Sequence, residues 1–479
     1  MASNTESTPS AFLRYRLWGV AGVLALSACA STPPLGQRPV IKEVAAWSGD
    51  LTKGEVAWPQ DRWWKTYGDS QLDVMIDEAL ASAPSLAVAQ ARLRRAAASV
   101  DDSDAATAPQ VSANADINAA KQSYNYLTPR SMLPSGIHGY GRTTLDFSWE
   151  LDFWGRNRDA LAAAISEHGA AQAEAAQARL LLTTSLTSAY AELARLFAAE
   201  DTAREAAAVR SKTAMLFHER YANGLENLSG VRQAEARHAA AEADLLACRE
   251  NIELQRHRLA ALMGKGPDRG LSIVRPRVNL GQPLPLPKTL ELELLGRRPD
   301  VVAARMRAEA ASRRIDVAQA DFYPNINLTA FIGMQSLGLG QLTKAGSEIG
   351  SAGPAISLPI FNGGHLRSQL RIKRADYDEA VANYEQTVTE ALQSVADAAV
   401  SQRELAGQLS YSQQAVDAAR AAWQIARNRY EGGLSTYLDV LSAEDTLLTN
   451  LRSLTDLQSR AFTLDVALVR ALGGGFRAQ

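Results

Sequence analysis

The chain has 479 residues, of which 46% are hydrophobic but only 6% aromatic, and its 50 Lys+Arg and 52 Asp+Glu leave a net charge of −2. The apolar content excludes a disordered chain, and the near-neutral balance argues against a dedicated nucleic-acid binder. Two cysteines are too few for a disulfide scaffold or a Cys₄ zinc site. Alanine supplies much of the apolar content, and proline-free stretches such as Ala160 to Ala178 favour long helices.

Residues 1–28 have the pattern of a secretory signal peptide. Arginines precede an apolar run from Leu17 to Ala28, which is too short to span a bilayer. The run ends at Leu26-Ser27-Ala28-Cys29, which resembles the bacterial lipobox, so we predict a diacylglycerol and an acyl chain on Cys29. An ordinary cleavage site followed by an incidental cysteine is the alternative. Ala30 stands where such signals carry Asp for inner-membrane retention, so the predicted location is the outer membrane, facing the periplasm.

Two stretches of the chain repeat each other. The helical pattern between Pro84 and Pro109 recurs between Pro299 and Pro324, at an offset of 215 residues. Further on, the Arg-Tyr…Gly-Leu pattern of residues 220–225 recurs at 429–434, an offset of 209. We therefore predict a signal peptide (1–28), a lipidated N-terminal segment (29–70), a first repeat (71–266), a proline-rich connector (267–296) and a second repeat (297–475).

The middle of each repeat alternates apolar and polar residues with the two-residue period of β-strands. The apolar positions are Val111, Ala113, Ala115, Ile117 and Ala119, then Leu145, Phe147, Trp149, Leu151 and Phe153, and in the second repeat Ile326, Leu328, Ala330 and Ile332, then Ile356, Leu358 and Ile360. Four strands of about ten residues match tilted transmembrane β-strands. A soluble half-buried sheet is the alternative, and the signal peptide and lipobox favour the membrane.

Each strand pair is followed by a very long helical pattern. Neither Arg156 to Tyr221 nor His365 to Tyr430 contains a proline, and each contains one glycine. At 1.5 Å per residue such helices reach about 100 Å, more than any bilayer, and their many charged residues exclude insertion. They are expected to project away from the membrane. Gly224 and Gly433 then permit sharp turns into shorter returning helices.

Four strands cannot close a barrel, and an open sheet edge in lipid leaves backbone groups unsatisfied. The chain is therefore expected to form an oligomer. Two copies give an eight-stranded barrel filled by side chains, and three give twelve strands with room for water.

Several ordered motifs carry a family resemblance: residues 63–72 (WWKTYGDSQL), 298–301 (RPDV), 321–324 (DFYP), 358–364 (LPIFNGG) and the paired Arg-Tyr…Gly-Leu turns. Over about residues 60–475 the chain resembles the TolC-like outer-membrane efflux factors, in particular lipoproteins of the NodT/OprM type. The resemblance implies a homotrimer with a mixed α and β fold, in which a twelve-stranded outer-membrane barrel continues into a long periplasmic helical barrel. It also implies two partners, a periplasmic membrane-fusion adaptor and an inner-membrane transporter of the resistance-nodulation-division class.

The same resemblance assigns candidate site residues. The periplasmic tip, which contacts the adaptor in this family, corresponds to Arg220, Tyr221, Gly224, Leu225, Arg429, Gly433 and Leu434. Asp439, with Tyr430, corresponds to the periplasmic gate. Alternatively, Asp439 is a carboxylate that favours a helix start, and Tyr221 and Tyr430 pack between helices. Gly230 and Ser442 stand where some members carry acidic residues, which implies one acidic ring rather than several.

No pattern of catalytic or metal-ligating residues stands out. The six histidines are scattered, without a His-Glu-x-x-His pattern, and no Gly-x-Ser-x-Gly elbow occurs. We therefore expect no enzymatic activity, no metal and no cofactor other than the covalent lipid. The predicted function is the outer-membrane channel of a tripartite efflux pump. The alternatives are a lipid-anchored periplasmic coiled-coil scaffold and the outer-membrane duct of a type I secretion system.

Overall fold

The computed structural model describes residues 36–41, 58–125, 127–277 and 297–477. Among these, one compact unit comprises residues 36–41, 94–125, 127–169 and 305–383, and a second comprises 58–93, 170–277, 297–304 and 384–477. The predicted signal peptide, Cys29 and most of the predicted connector lie outside the described residues.

The described residues form eight α-helices and four β-strands. In chain order they are a 3-10 helix at Trp63–Tyr67, then α1 (Ser70–Ser82), α2 (Pro84–Ala105), β1 (Gln110–Ala120), β2 (His138–Glu150), α3 (Arg156–Ala222), α4 (Leu228–Leu262), α5 (Pro267–Leu271), α6 (Pro299–Ala320), β3 (Asn325–Leu337), β4 (Glu348–Ser357), α7 (His365–Glu431) and α8 (Tyr437–Ala471). No helix among them combines the length and the apolar character that a membrane span requires.

The predicted tandem repeat is confirmed by the element lengths. Helices α2 and α6 have 22 residues each, α3 and α7 have 67 each, and α4 and α8 have 35 each. The offset between the copies changes from 215 to 209 in the loop between the two strands of each repeat, which spans 121–137 in the first and 338–347 in the second. Each repeat is therefore a helix, a strand pair, a very long helix and a returning helix.

The four strands form one antiparallel sheet in the order β1-β2-β3-β4. Val111 pairs with Phe147, Leu145 with Ile332, and Ile332 with Gly350, so the apolar positions of all four strands share one face. Ile332 is 68% exposed on this face. The sheet thus presents a continuous apolar surface on one side and a polar surface on the other.

Two strands end earlier than the alternating pattern predicts. β2 ends at Glu150, because Asp152 turns the chain and caps α3 by accepting from the Arg158 backbone N–H at 2.9 Å. β4 ends at Ser357, so Leu358 and Ile360 are not strand residues. Pro359, between them, has no N–H to donate to a ladder.

Each unit has its own core. In the first unit, α6 and α7 bury a cluster around Ile315, Phe322, Leu370 and Tyr377. In the second unit, α3 packs against the 3-10 helix, α1 and α4 through large buried side chains: Trp63, Trp64, Leu72, Met75, Leu186, Tyr190 and Leu259.

Candidate functional site

The two predicted tip turns have the same backbone geometry. After α3, the Leu225 N–H donates to the Arg220 carbonyl at 2.8 Å and the Gly224 N–H to the Tyr221 carbonyl at 3.0 Å. After α7, the residues 209 positions later make the same two bonds at the same distances. Gly224 and Gly433 both have φ +70°, the left-handed region that favours glycine. Both long helices therefore end in a Schellman turn that sends the chain directly into the returning helix.

Several tip side chains are exposed to solvent. Tyr221 is 45% exposed, Leu225 67% and Leu434 73%. Arg429 is also exposed. Exposed apolar groups at the two tip turns provide surface that can be buried against a partner.

Tyr430 does not share this exposure, although it occupies the repeat position of Tyr221. It is only 7% exposed and packs against Phe217 and Tyr437 in a cluster formed by α3, α4, α7 and α8. The Arg220 guanidinium lies 5.0 Å from the centre of the Tyr430 ring. The buried Tyr430 hydroxyl and Arg220 Nε have no hydrogen-bond partner among the described residues. Burial accordingly raises the pKa of the Tyr430 phenol. Within the protomer, Tyr430 is a packing residue.

Asp439 occupies the third position of α8 and forms a capping box with Thr436. Its Oδ2 accepts from the Thr436 backbone N–H and from the Thr436 hydroxyl, each at 2.9 Å. The residue is exposed. Asp439 therefore stabilises the start of α8, as a carboxylate does at a helix N-terminus, while its charge faces solvent.

The equivalent position of the first repeat, Gly230, has no room for a similar carboxylate. A Cβ there would lie 2.9 Å from the Phe217 ring. Instead the Asn227 side chain caps α4 by accepting from the Gly230 N–H at 2.8 Å, and Glu226 accepts from the Asn227 N–H at 2.9 Å. The structure thus gives a steric reason for the absence of an acidic residue at Gly230.

An ion-pair network that the sequence motifs did not reveal ties the start of α8 to α3 and α4. Arg210 lies 3.4 Å from Glu444 and 3.1 Å from Asp445, and Arg237 lies 3.2 Å from Asp445. Glu444 is only 4% exposed, and burial raises the pKa of its carboxyl despite the neighbouring Arg210. Its repeat position in α4, Glu235, instead makes ion pairs with His218 and Arg232. The recurrence of glutamate at positions 235 and 444 was the sequence signal that could have indicated this network.

A groove with a volume of 490 Å³ lies beside this network. Charged, hydroxyl-bearing, amide and leucine side chains line it. These residues are Arg237, Leu438, Leu441, Ser442, Asp445, Thr446, Thr449 and Asn450. The region around the start of α8 therefore offers a charged, hydroxyl-rich surface, and no arrangement of residues for bond-breaking chemistry is evident in it.

Comparison with known proteins identifies the family. Residues 75–265 and 292–474 match the family described as "Outer membrane efflux protein". The crystal structure of the outer membrane protein VceC from Vibrio cholerae superimposes with a TM-score of 0.83 and 48% sequence identity, covering 88% of this chain and 100% of that one.

Curated relatives are similar in sequence to this chain over most of its length. The multidrug resistance outer membrane protein MdtP of Escherichia coli K12 is 32% identical over 439 residues, which is 90% of this chain and 89% of the relative. The probable outer membrane lipoprotein SilC of Salmonella typhimurium is 26% identical over 97% of this chain and 99% of the relative. The chain therefore belongs to the outer membrane efflux protein family and is the outer-membrane channel component of an efflux pump.

Proposed function

We propose that three copies of this chain assemble into a channel whose twelve-stranded barrel spans the outer membrane. The proposal rests on the sheet: four strands with an apolar face, whose β1 and β4 each lack a partner on one side within the described residues. In lipid each unpaired backbone group costs several kcal/mol, so both edges must pair. Three copies close the barrel and leave a water-filled lumen lined by the polar face.

The two tip turns are the proposed contact with a periplasmic adaptor, and Asp439 is the proposed gate residue. Exposed Tyr221, Leu225 and Leu434 supply apolar area for an adaptor, and exposed Arg429 supplies charge. Three copies of Asp439 near a symmetry axis would form a ring of like charge that attracts cations. Tyr430 supports this gate indirectly, by packing α7 against α8.

A lipid on Cys29 is the proposed second attachment to the membrane. The segment 36–41 supports it, because it lies against α6 and α7. The Arg38 guanidinium bonds Asp316 at 2.8 Å, the Tyr377 hydroxyl donates to the Pro39 carbonyl at 2.8 Å, and the buried Arg374 donates to the Gln37 carbonyl.

The geometry of this segment fits an acyl anchor. Arg374 is about 14 Å along α7 from its start, on the side of β4. Cys29 precedes Gly36 by seven positions, a separation that an extended chain spans with about 25 Å, enough to reach the bilayer surface.

Drugs or other small toxic compounds are the proposed cargo, and a transporter of the resistance-nodulation-division class with its adaptor is the proposed source. The name of MdtP refers to multidrug resistance, and SilC is named as a probable outer membrane lipoprotein. The channel contributes a passive path, and the inner-membrane transporter selects what enters it.

The test is the oligomeric state and conductance of the purified protein. A heat-sensitive trimer band and ion conductance in planar bilayers are expected. A folded monomer without conductance would contradict the channel and favour the lipid-anchored scaffold. Co-purification with a type I secretion transporter rather than a drug transporter would assign the channel to protein secretion.

A further inference from the structure

The polar face of the sheet carries an unequal distribution of charge, and it becomes the barrel lumen in the proposed trimer. The strand registers identify which residues share this face: Ser112, Asp146, Phe331 and Ser351 form one row, and Asp116, Arg142 and Gln335 form another. Rows further along the sheet contain Asn114 with Thr144, and Glu150 with Asn327.

All charged residues of this face belong to the first repeat. β1 and β2 contribute Asp116, Arg142, Asp146 and Glu150, whereas the polar-face positions of β3 and β4 carry no Asp, Glu, Lys or Arg. Three carboxylates against one guanidinium leave each protomer with an excess of negative charge on the lumen side.

All three carboxylates have a basic residue in their surroundings, but among the described residues only Glu150 lies within ion-pair distance of one. Glu150 lies 3.7 Å from Arg156, and Asp116 is the direct cross-strand neighbour of Arg142. The Arg142 guanidinium lies 5.4 Å from the centre of the Phe331 ring. Gly333 lies between Phe331 and Gln335 on the same face. Because it has no side chain, it leaves room for the Arg142 guanidinium to reach the Phe331 ring.

Neutral groups fix the position of Asp146, and Arg142 acts on its carboxylate only through a longer-range charge interaction. Its Oδ2 accepts from the Thr144 hydroxyl at 2.7 Å and from the Asn114 amide at 2.9 Å. Among the described residues it makes no ion pair. These two bonds hold the carboxylate on the polar face without neutralising it.

We propose that Asp146 makes the barrel itself selective for cations. This proposal rests on the trimer proposed above, in which one Asp146 from each protomer forms a ring of three carboxylates in the lumen. The ring attracts cationic solutes and repels anionic ones, because field lines from fixed charges are focused in a water-filled passage with low-dielectric walls. Cationic amphiphilic compounds are therefore the cargo class that the barrel favours, independently of the gate at Asp439.

The experiment measures reversal potentials in planar bilayers under a KCl gradient. It uses the full-length chain with Asp439→Ala, so that the gate charge does not dominate the result. At about 0.1 M salt, where the Debye length is about 10 Å, Asp146→Asn is expected to lower the K⁺/Cl⁻ permeability ratio by about two-fold or more. Asp146→Lys is expected to invert the preference. Glu348→Gln, which removes a carboxylate from the opposite face of the sheet, is the matched control and should leave the ratio unchanged.

A second variant protects the test against a failure of Asp146→Asn to assemble. Ser351→Lys adds a cation to the same row while Asp146 stays in place, and it should also lower the ratio. An unchanged ratio in conducting trimers of both variants would overturn the role of Asp146 and leave the channel proposal intact. Absence of conductance in the parent protein as well would overturn the trimeric channel instead.

Discussion

At the scale of the residue, Asp439 combines a structural contact with a proposed electrostatic role. Its carboxylate closes the capping box with Thr436, and the same group carries the charge assigned to the gate. The two roles can be separated, because an amide can still accept the hydrogen bond but carries no charge.

Replacing Asp439 with Asn and with Ala therefore distinguishes them. Both variants are expected to raise single-channel conductance and to flatten its sensitivity to divalent cations, because both remove the ring of charge. Only Asp439→Ala is expected to loosen the start of α8, by about 1 kcal/mol, since it also removes the cap. Conductance in planar bilayers and amide hydrogen exchange at 436–442 measure the two effects. Unchanged conductance in both variants would remove Asp439 from the gate.

Glu444 shows how burial sets the effect of pH on stability. Burial raises the pKa of its carboxyl, so the folded chain binds that proton more tightly than the unfolded chain. The contribution of Glu444 to stability therefore falls as pH rises from below the unfolded glutamate pKa of about 4.3 through the folded value. Its repeat partner Glu235 has the opposite shift: hydrogen bonding from Arg232 is the main cause that lowers its pKa.

Matched glutamine variants test whether the pKa values of Glu444 and Glu235 are shifted in opposite directions. Relative to wild type, the unfolding midpoint of Glu444→Gln should rise as the pH is taken from 4 to 8, because the variant escapes the growing cost of a buried charge. The unfolding midpoint of Glu235→Gln, relative to wild type, should fall over the same interval by a smaller amount, since that side chain is partly exposed and its charge is screened by solvent. Circular dichroism of detergent-solubilised protein gives both midpoints. Parallel pH profiles for wild type and Glu444→Gln would contradict the assignment.

At the scale of the element, the long helices depend on how they end. Gly433 has φ +70°, and the Gly433 and Leu434 N–H groups satisfy carbonyls of the last turn of α7. Gly432, its neighbour, has no left-handed φ, and a Cβ there would make only ordinary contacts, at 3.5 Å or more.

These adjacent glycines provide a controlled comparison. Gly433→Ala should destabilise the turn by about 1 kcal/mol, because a Cβ is strained in the left-handed conformation. Gly432→Ala should be neutral or slightly stabilising, because alanine limits the unfolded chain more than glycine does. Hydrogen exchange of the 425–440 region reports the local stability. Equal protection in the two variants would show that the turn does not depend on the left-handed glycine.

At the scale of the whole molecule, the sheet has an apolar face on which large side chains remain exposed. Leu145, Ile332 and Ile356 are each more than half exposed. A surface of this kind is unfavourable in water and favourable in lipid, which agrees with the outer-membrane location of the family.

Lysine substitutions on the two faces of β3 test this assignment. Ile332→Lys places a charge on the apolar face and should cost about 2–4 kcal/mol near the bilayer midplane. Thr329→Lys, three residues away and on the opposite face, should leave membrane assembly unchanged. The yield of heat-sensitive trimer in isolated outer membranes measures the difference. Equal yields would argue that the two faces meet the same environment.

Much of the fold follows from local patterns. Proline positions, the two-residue period of the strands and the duplicated turn glycines predicted the repeat, the four strands and the bounds of both long helices to within about two residues. These signals are local, because backbone conformation and the alternation of faces depend on near neighbours in the chain.

The ends of the strands and the burial of Tyr430 could not be predicted from the sequence. β2 begins at His138, and its first residues include Gly139 and Gly141, which carry no hydrophobic signal; the strand forms there because β1 supplies the partner. Tyr221 and Tyr430 occupy the same position of the repeat, yet only Tyr430 is buried.

The cellular location, the repeat, the secondary structure and, through the motifs, the family could all be predicted from the amino-acid sequence. The differences between equivalent positions of the two repeats became visible only in the folded chain. The tertiary structure buried Tyr430 and exposed Tyr221, left no space for an acid at Gly230, paired Glu444 with Arg210 and, among the described residues, left Asp146 without an ion pair. This difference arises because local patterns act over a few residues, whereas burial and charge pairing, as between Arg210 and Glu444, join side chains that lie hundreds of positions apart in the chain.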